Sequence, residues 1–335
     1  MGRPNRNSGG TTVENMRGLL VVNPMATAFT DRTKDVLIHA LADQFHLEVV
    51  PTDHRGHAVE LGKQAVAADL DVVVVLGGDG TVNETINGMM AARGDRGPAD
   101  LPRFGAVPGG SANVFTRALG FPSEPVEATG AMVDALRNDR TRNVSLAHVQ
   151  AETADGDQLE RWITFNAGLG IDAQIIHNME SLRAKGKEAT PTRYFATTLR
   201  TFFAGTDRKR PSLTLEVPGA EDVPGVFLAI IQNTSPWTYL GTVPINPLPG
   251  VDWDGGLGVW AVRRMNVLDG LRYGRRIVMQ SKAGSTKKGL FVATDLTGFT
   301  ALADPAAPLQ VDGEGLGYIR RATFTSHPAM LRAYT

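Results

Sequence analysis

The chain has 335 residues, a formal net charge of -1 and no cysteine. Its length favours two domains. Its near-neutral charge gives no reason to expect nucleic acid as a partner, and the lack of cysteine excludes disulfides, thiolate zinc sites and cysteine nucleophiles. No apolar run reaches the roughly 20 residues that a membrane span needs, so the expected location is cytoplasmic.

Residues 1–16 open with MGRPNRNSGGTT, polar and basic, without the apolar stretch of a signal peptide, and read as a disordered tail. GLLVVNP (18–24) predicts a short strand ending in a turn. Val36, Leu37, Ala40, Leu41 and Phe45 recur at helical spacing over 31–45. LEVVPT (47–52) predicts a strand, and Ala58, Leu61 and Ala65 share one face of a helix over 57–69. DVVVVL (71–76) is apolar on both faces, as a strand inside a covered parallel sheet must be. FGAVP (104–108), the helix after it and a helix over about 124–138 continue the alternation. The series predicts a doubly wound α/β domain. From about residue 143 the pattern changes to strands separated by Gly, Pro and Asp turns, with helical patterns left near 175–204 and 266–280. That predicts a second, mainly antiparallel β domain.

The chemistry concentrates in two glycine loops. The first, GGDGTVNETINGM (77–89), follows the most apolar strand and opens a helix. Glycines let backbone N–H groups approach an anion closely, and the helix presents its positive end to the same place. Thr81 and Glu84 have the spacing of a capping box, and Asn83 and Asn87 share a face. A carboxylate, Asp79, in a phosphate turn makes sense if a divalent cation stands between them, as magnesium does in nucleotide sites. Taken alone, GGDG is more often an ordinary turn. The second loop, VPGGSANVFTR (107–117), also follows a strand and precedes a helix, so two such loops could face each other across a crevice at the carboxyl edge of one sheet. Ser111 and Asn113 could contact phosphate or cap the helix. There is no Walker P-loop, no GxGxxG and no nucleophile elbow.

GGDGTVNETINGM together with PGGSANVFTRALGFP resembles the soluble, bacterial-type diacylglycerol kinases, which form one lipid-kinase superfamily with sphingosine and ceramide kinases. The likeness runs from about residue 18 to 334. It takes in Asn23-Pro24, Thr52 in TDHRGHA, VDGE (311–314) and the closing PAMLRAY. Two departures stand out: Ser111 replaces the family's usual Thr, and Met25-Ala26-Thr27 replaces a Ser-Gly pair. The resemblance implies a Rossmann-like domain of the phosphofructokinase and NAD-kinase type over 17–142, completed by 320–335 at the chain's end. It also implies a β-sandwich lipid domain over 143–319. It implies an ATP-dependent kinase that transfers the γ-phosphate to the hydroxyl of diacylglycerol or a similar lipid alcohol, giving phosphatidic acid or an analogue. Asn23, Thr52, Gly77, Gly78, Asp79, Gly80, Thr81, Asn83, Glu84, Gly110, Ser111 and Asn113 would hold ATP, with Asp79 on Mg²⁺ and Glu314 as the base. In VDWDGGLGV (251–259), Asp254 and the Gly256 carbonyl would hold a second, structural Mg²⁺; a plain hairpin turn is the competing reading.

Around Gly313, Asp312 and Glu314 could otherwise be solvated turn residues. Basic residues among aromatics at 182–210 (Arg183, Lys185, Lys187, Arg193, Tyr194, Phe195, Phe202, Phe203) and the basic run Arg272, Arg275, Arg276, Lys282, Lys287 and Lys288 suit transient contact with an anionic membrane surface. A core helix with a charged outer face explains them equally well. His54 and His57 read as surface histidines beside a turn. NAD kinase shares GGDGT and is the alternative activity; a nucleotide- or lipid-binding protein without turnover is the third reading. Whether the chain acts as a monomer or a homodimer stays open.

Overall fold

A computed structural model describes residues 16–26, 30–45, 47–170, 211–264, 266–278, 285 and 289–335. The expected basic-aromatic segment at 182–210, the helical pattern at 175–204, Lys282, Lys287 and Lys288 and the N-terminal tail up to residue 15 lie outside them. Two compact units emerge: one runs to Gly110 and adds Leu119–Arg142 and Arg332–Thr335, the other comprises Ser111–Ala118 and Asn143–Leu331. The chain returns to the first unit at Arg332 rather than at residue 320, and the short segment after the second glycine loop groups with the second unit.

The first unit alternates β1 (Gly18–Val22), α1 (Asp31–Phe45), β2 (Leu47–Pro51), α2 (His57–Ala67), β3 (Val72–Gly77), α3 (Asp79–Ala91) and β4 (Arg103–Pro108). β1 lies between β2 and β3, β4 flanks β3, and all four are parallel. At the far edge Ala333 pairs in parallel with Phe104. Val72 to Leu76 are fully buried. This is the consequence of covering both faces of a parallel sheet: α2 packs on α3, and α1 packs on α5 (Pro125–Arg137). The α2–α3 crossing depends on a glycine from each helix. A Cβ on Gly62 would stand 2.2 Å from the Thr85 carbonyl oxygen, and one on Gly88 2.0 Å from that of Val59.

The second unit begins with the single turn α4 (Val114–Ala118) and continues in strands β5 (Thr141–Thr153), β6 (Gln158–Ile163), β7 (Asn166–Gly170), β8 (Leu213–Glu216), β9 (Val223–Val226) and β10 (Leu228–Gln232). After the small hairpin of β11 (Thr238–Leu240) and β12 (Val243–Ile245) come β13 (Leu257–Val262), α6 (Val267–Val278), β14 (Leu290–Leu296), β15 (Gly298–Val311) and β16 (Glu314–Tyr334). β14, β13, β10, β7, β15 and β16 are hydrogen-bonded neighbours in that order. The long β15 pairs with β8 through Thr300–Ala303 and with β7 through Leu309–Val311. One core is shared by Leu213 and Leu215 of β8, Ala167 and Leu169 of β7 and Val259 of β13, which makes this part a sandwich. Period-2 alternation explains why β10 is buried on both faces. Ala229 and Ile231 face that core, while Leu228 and Ile230 join Trp260, Val262 and Tyr273 of α6 in a second cluster. Thus α6 buries Tyr273 against the sheet and leaves Arg272, Arg275 and Arg276 exposed. Among the described residues no helix is long and apolar enough to cross a membrane.

Candidate active site

In the first unit the expected residues collect at the carboxyl ends of the parallel strands. Asn23 follows β1, Thr52 follows β2, Gly77 ends β3, and Gly109 and Gly110 follow β4. The backbone ladder continues into these loops: Asn23 N–H donates to the Leu76 carbonyl at 3.0 Å, Thr52 N–H to Val22 at 2.8 Å, and Gly109 N–H to Gly77 at 2.8 Å. The chain leaves β1 towards β2 on one side, while β3 lies on the other. Asn23 and the Gly77–Thr81 turn therefore occupy the topological switch point, where open α/β sheets bind ligands. Asn23 spans it, its Nδ2 donating to Thr81 Oγ1 at 3.0 Å while its Oδ1 accepts from Met25 N–H at 2.9 Å. The two glycine loops sit side by side on adjacent strands rather than across a crevice, and a Cβ on Gly78 would come 3.2 Å from Gly110 Cα.

The capping-box expectation is corrected. α3 starts at Asp79, two residues before Thr81, with extended Gly78 as its N-cap and no side-chain cap. Thr81 instead accepts the Asn23 amide, and Glu84 reaches across to accept Gly56 N–H at 3.1 Å. Thr-x-x-Glu fits this role equally well, because the first helical turn carries the same side chains to neighbouring loops. Gly56 stands at φ +88, a left-handed conformation that favours glycine, so Glu84 braces the turn after Thr52. Asn87 Nδ2 donates to the carbonyl of Asn83 at 2.9 Å and to its Oδ1 at 3.1 Å. Asp79 is half-buried in the first turn of the 13-residue α3, and a Cβ on Gly80 would meet nothing within 4 Å. A helix N-terminus, open glycine space and one half-buried carboxylate fit a phosphate chain with a divalent cation.

On the same edge, His57 Nδ1 accepts Asp53 N–H at 3.2 Å and lies 2.8 Å from Asp53 Oδ1, which pairs with His54; the two histidine rings stack with centroids 5.0 Å apart. The partnership with Asp53 holds His54 above its ordinary pKa, and that with His54 holds Asp53 below its own. Their ligand atoms lie within 4.8 Å of one another. Of the second loop, Ser111 is exposed, while Asn113 is buried at φ +50 and its carbonyl accepts Arg117 N–H of α4 at 3.0 Å.

In the second unit, Val311 pairs with Glu314 across a two-residue hairpin, Asp312-Gly313, at φ +48 and +82. Asp-Gly favours such a turn because both central residues need positive φ. The acidic pair divides. Asp312 is 5% exposed rather than solvated. Its Oδ2 accepts Thr164 N–H at 2.7 Å and Thr164 Oγ1 at 2.6 Å, and its Oδ1 accepts Phe165 N–H at 3.0 Å and Asn166 N–H at 2.9 Å. Burial pushes this carboxyl above its ordinary range, and the four donors offset that only in part. Glu314 receives Arg161 Nη2 on Oε2 at 2.6 Å. Neither Arg161 nor Thr164 was singled out from the sequence, although Leu159-x-Arg161-x-Ile163 places an arginine on the apolar face of a strand.

The turn at 252–256 is closed by protein groups: Asp252 Oδ1 accepts Asp254 N–H at 2.9 Å, and a Cβ on Gly256 would stand 2.6 Å from the backbone of Asp295 and Leu296. Close packing thus accounts for Gly256, and Asp254 contributes one exposed carboxylate.

Residues 17–149 match the family model of the diacylglycerol kinase catalytic domain. The chain is 32% identical over 129 residues to a diacylglycerol kinase of Staphylococcus haemolyticus, covering 38% of this chain and 36% of the relative. It is 33% identical over 98 residues to a diacylglycerol kinase of Bacillus subtilis, covering 29% of each. The chain thus spans about a third of the length of these curated relatives. A crystal structure of a diacylglycerol kinase from Bacillus anthracis superposes with a TM-score of 0.67 over 96% of this chain and 97% of that one at 19% identity, a likeness of fold.

Proposed function

Because residues 17–149 match the family model of the diacylglycerol kinase catalytic domain, we propose that this chain is an ATP-dependent lipid kinase that phosphorylates the hydroxyl of diacylglycerol or a similar lipid alcohol. The observation that carries the reading is the GGDGT turn at the sheet's switch point, tied to Asn23 through Thr81. Backbone amides at the start of α3, those of Gly78 and Gly80, would reach phosphate oxygens, and Asp79 would hold Mg²⁺. That ion, when bound, neutralises charge on the β- and γ-phosphates. Asn23 and Glu84 keep the two neighbouring loops in shape. Glu314 accepts the proton of the lipid hydroxyl as its oxygen bonds to the γ-phosphorus and the bond to ADP breaks. A positioned general base contributes about 10²- to 10⁴-fold. A second cation at Asp254 would brace the β unit; no step depends on it. The exposed arginines of α6 suit anionic lipid headgroups, which fits a peripheral, cytoplasmic enzyme.

The test is transfer of labelled phosphate from ATP with Mg²⁺, offering diacylglycerol in mixed micelles or NAD in solution. Label in the lipid, lost in Asp79→Ala, is the expected result. Label on NAD would overturn the lipid assignment, and nucleotide binding without transfer to either would favour the non-catalytic reading.

A further inference from the structure

Strand β6 carries Leu159, Arg161 and Ile163 on one face. Ile163 is fully buried in the sandwich core and Leu159 packs against that core. Arg161 lies between them, opposite the fully buried Val149 of β5. Its side chain is only 20% exposed, and the Glu314 side chain it meets at 2.6 Å is 24% exposed. The arginine's Nε is buried and, among the described residues, has no hydrogen-bond partner.

This is a poor arrangement for stability. A guanidinium on a core-facing position loses hydration, and here one of its donors gains nothing in exchange. An apolar residue of similar size usually serves such a position as well or better. What the arginine does provide is a fixed contact on one oxygen of Glu314. The Asp312-Gly313 turn anchors the backbone just before Glu314, through Asp312 and the 164–166 segment that continues β6. Arg161 and the 164–166 segment thus act on the same short stretch, one on the side chain of Glu314 and the other, through Asp312, on the main chain before it.

We propose that Arg161 is a positioning residue for phosphoryl transfer: it holds the Glu314 carboxylate in the orientation that receives the acceptor's proton. The assignment rests on the kinase reading above. A base held in the wrong rotamer loses its contribution to the chemical step while substrate binding is spared. Arg161→Met should therefore lower kcat for diacylglycerol by about 10- to 100-fold, within the range a general base supplies. KM for ATP should stay within about twofold, and the melting midpoint should not fall.

The experiment compares the full chain, Arg161→Met, Arg161→Ala, Glu314→Gln and the Arg161→Met/Glu314→Gln pair in the mixed-micelle assay, each with a melting curve. Two further results are expected: methylguanidinium restores part of the activity of Arg161→Ala, and Arg161→Met has no further effect once Glu314 is Gln. Full kcat in Arg161→Met would sink this assignment alone. So would a loss that tracks a lowered melting midpoint without methylguanidinium rescue, since that is the behaviour of a packing residue. Absence of lipid phosphorylation by the unaltered chain would instead sink the kinase reading, and this assignment with it.

Discussion

Asp312→Asn tests how the 312–314 turn is held. Each carboxylate oxygen accepts two donors, Thr164 N–H and Oγ1 on one side and the amides of Phe165 and Asn166 on the other. Asn keeps the size of the side chain and tolerates the left-handed backbone at φ +48. Its NH₂ must, however, face one of the two pairs. The cheaper orientation turns it towards Thr164, whose hydroxyl can rotate to accept, so one buried amide is orphaned at a cost of about 1–3 kcal/mol. The other contacts lose their charge, and charge-assisted bonds are about twice as strong as neutral ones. The sum is about 3–5 kcal/mol, against a typical domain stability of about 5–15 kcal/mol. All four tryptophans, Trp162, Trp237, Trp253 and Trp260, lie in the second unit, so intrinsic fluorescence in urea follows that unit. With a slope of about 2 kcal/mol per M, the midpoint should fall by about 2 M at neutral pH. Thr164→Val should cost less, about 1.5–3 kcal/mol for one bond to a charged group. A midpoint for Asp312→Asn within about 0.5 M of the unaltered chain would refute the reasoning, because a loss of about 1 kcal/mol or less is no more than the least an orphaned amide costs and leaves nothing for the weakened charged contacts.

Gly88→Ala drives a Cβ to within 2.0 Å of a helix carbonyl, where backbone rather than a pliable side chain must yield; about 3 kcal/mol or more of first-unit stability should be lost, read as faster hydrogen exchange of the β3 amides. His148 packs beside Trp162 and His327, with Glu160 Oε2 3.9 Å from its Nε2, and burial holds its pKa below the ordinary histidine value. The unfolded chain therefore takes up this proton first. The stabilising contribution is present above about pH 6.5 and is lost as pH falls through the folded value, so the urea midpoint of the second unit should decline from pH 7 to 5 and His148→Phe should flatten that decline. An unchanged slope in His148→Phe would assign the effect to other groups.

The carboxyl-edge loops were readable because local rules place them. An unbroken valine run cannot be half-exposed, and glycines after it leave the strand free to turn into a helix. Asp312-Gly313 carries its hairpin in the same way, through the positive φ that both residues tolerate. What the sequence hid is what joins distant positions. Asn23 meets Thr81 across 58 residues, Glu84 meets Gly56 across 28, Asp312 meets Thr164 across 148, and Arg161 meets Glu314 across 153. No periodicity encodes those pairs, and the local pattern misled where it had two solutions. Thr81 and Glu84 have capping-box spacing, yet α3 starts at Asp79 and both side chains serve the neighbouring loops. A polar residue on the apolar face of a strand was the one signal left unused. In β6 that residue is Arg161, and its burial there is intelligible only beside Glu314. A break in the alternation thus marks a residue that answers to a distant partner, before that partner is known.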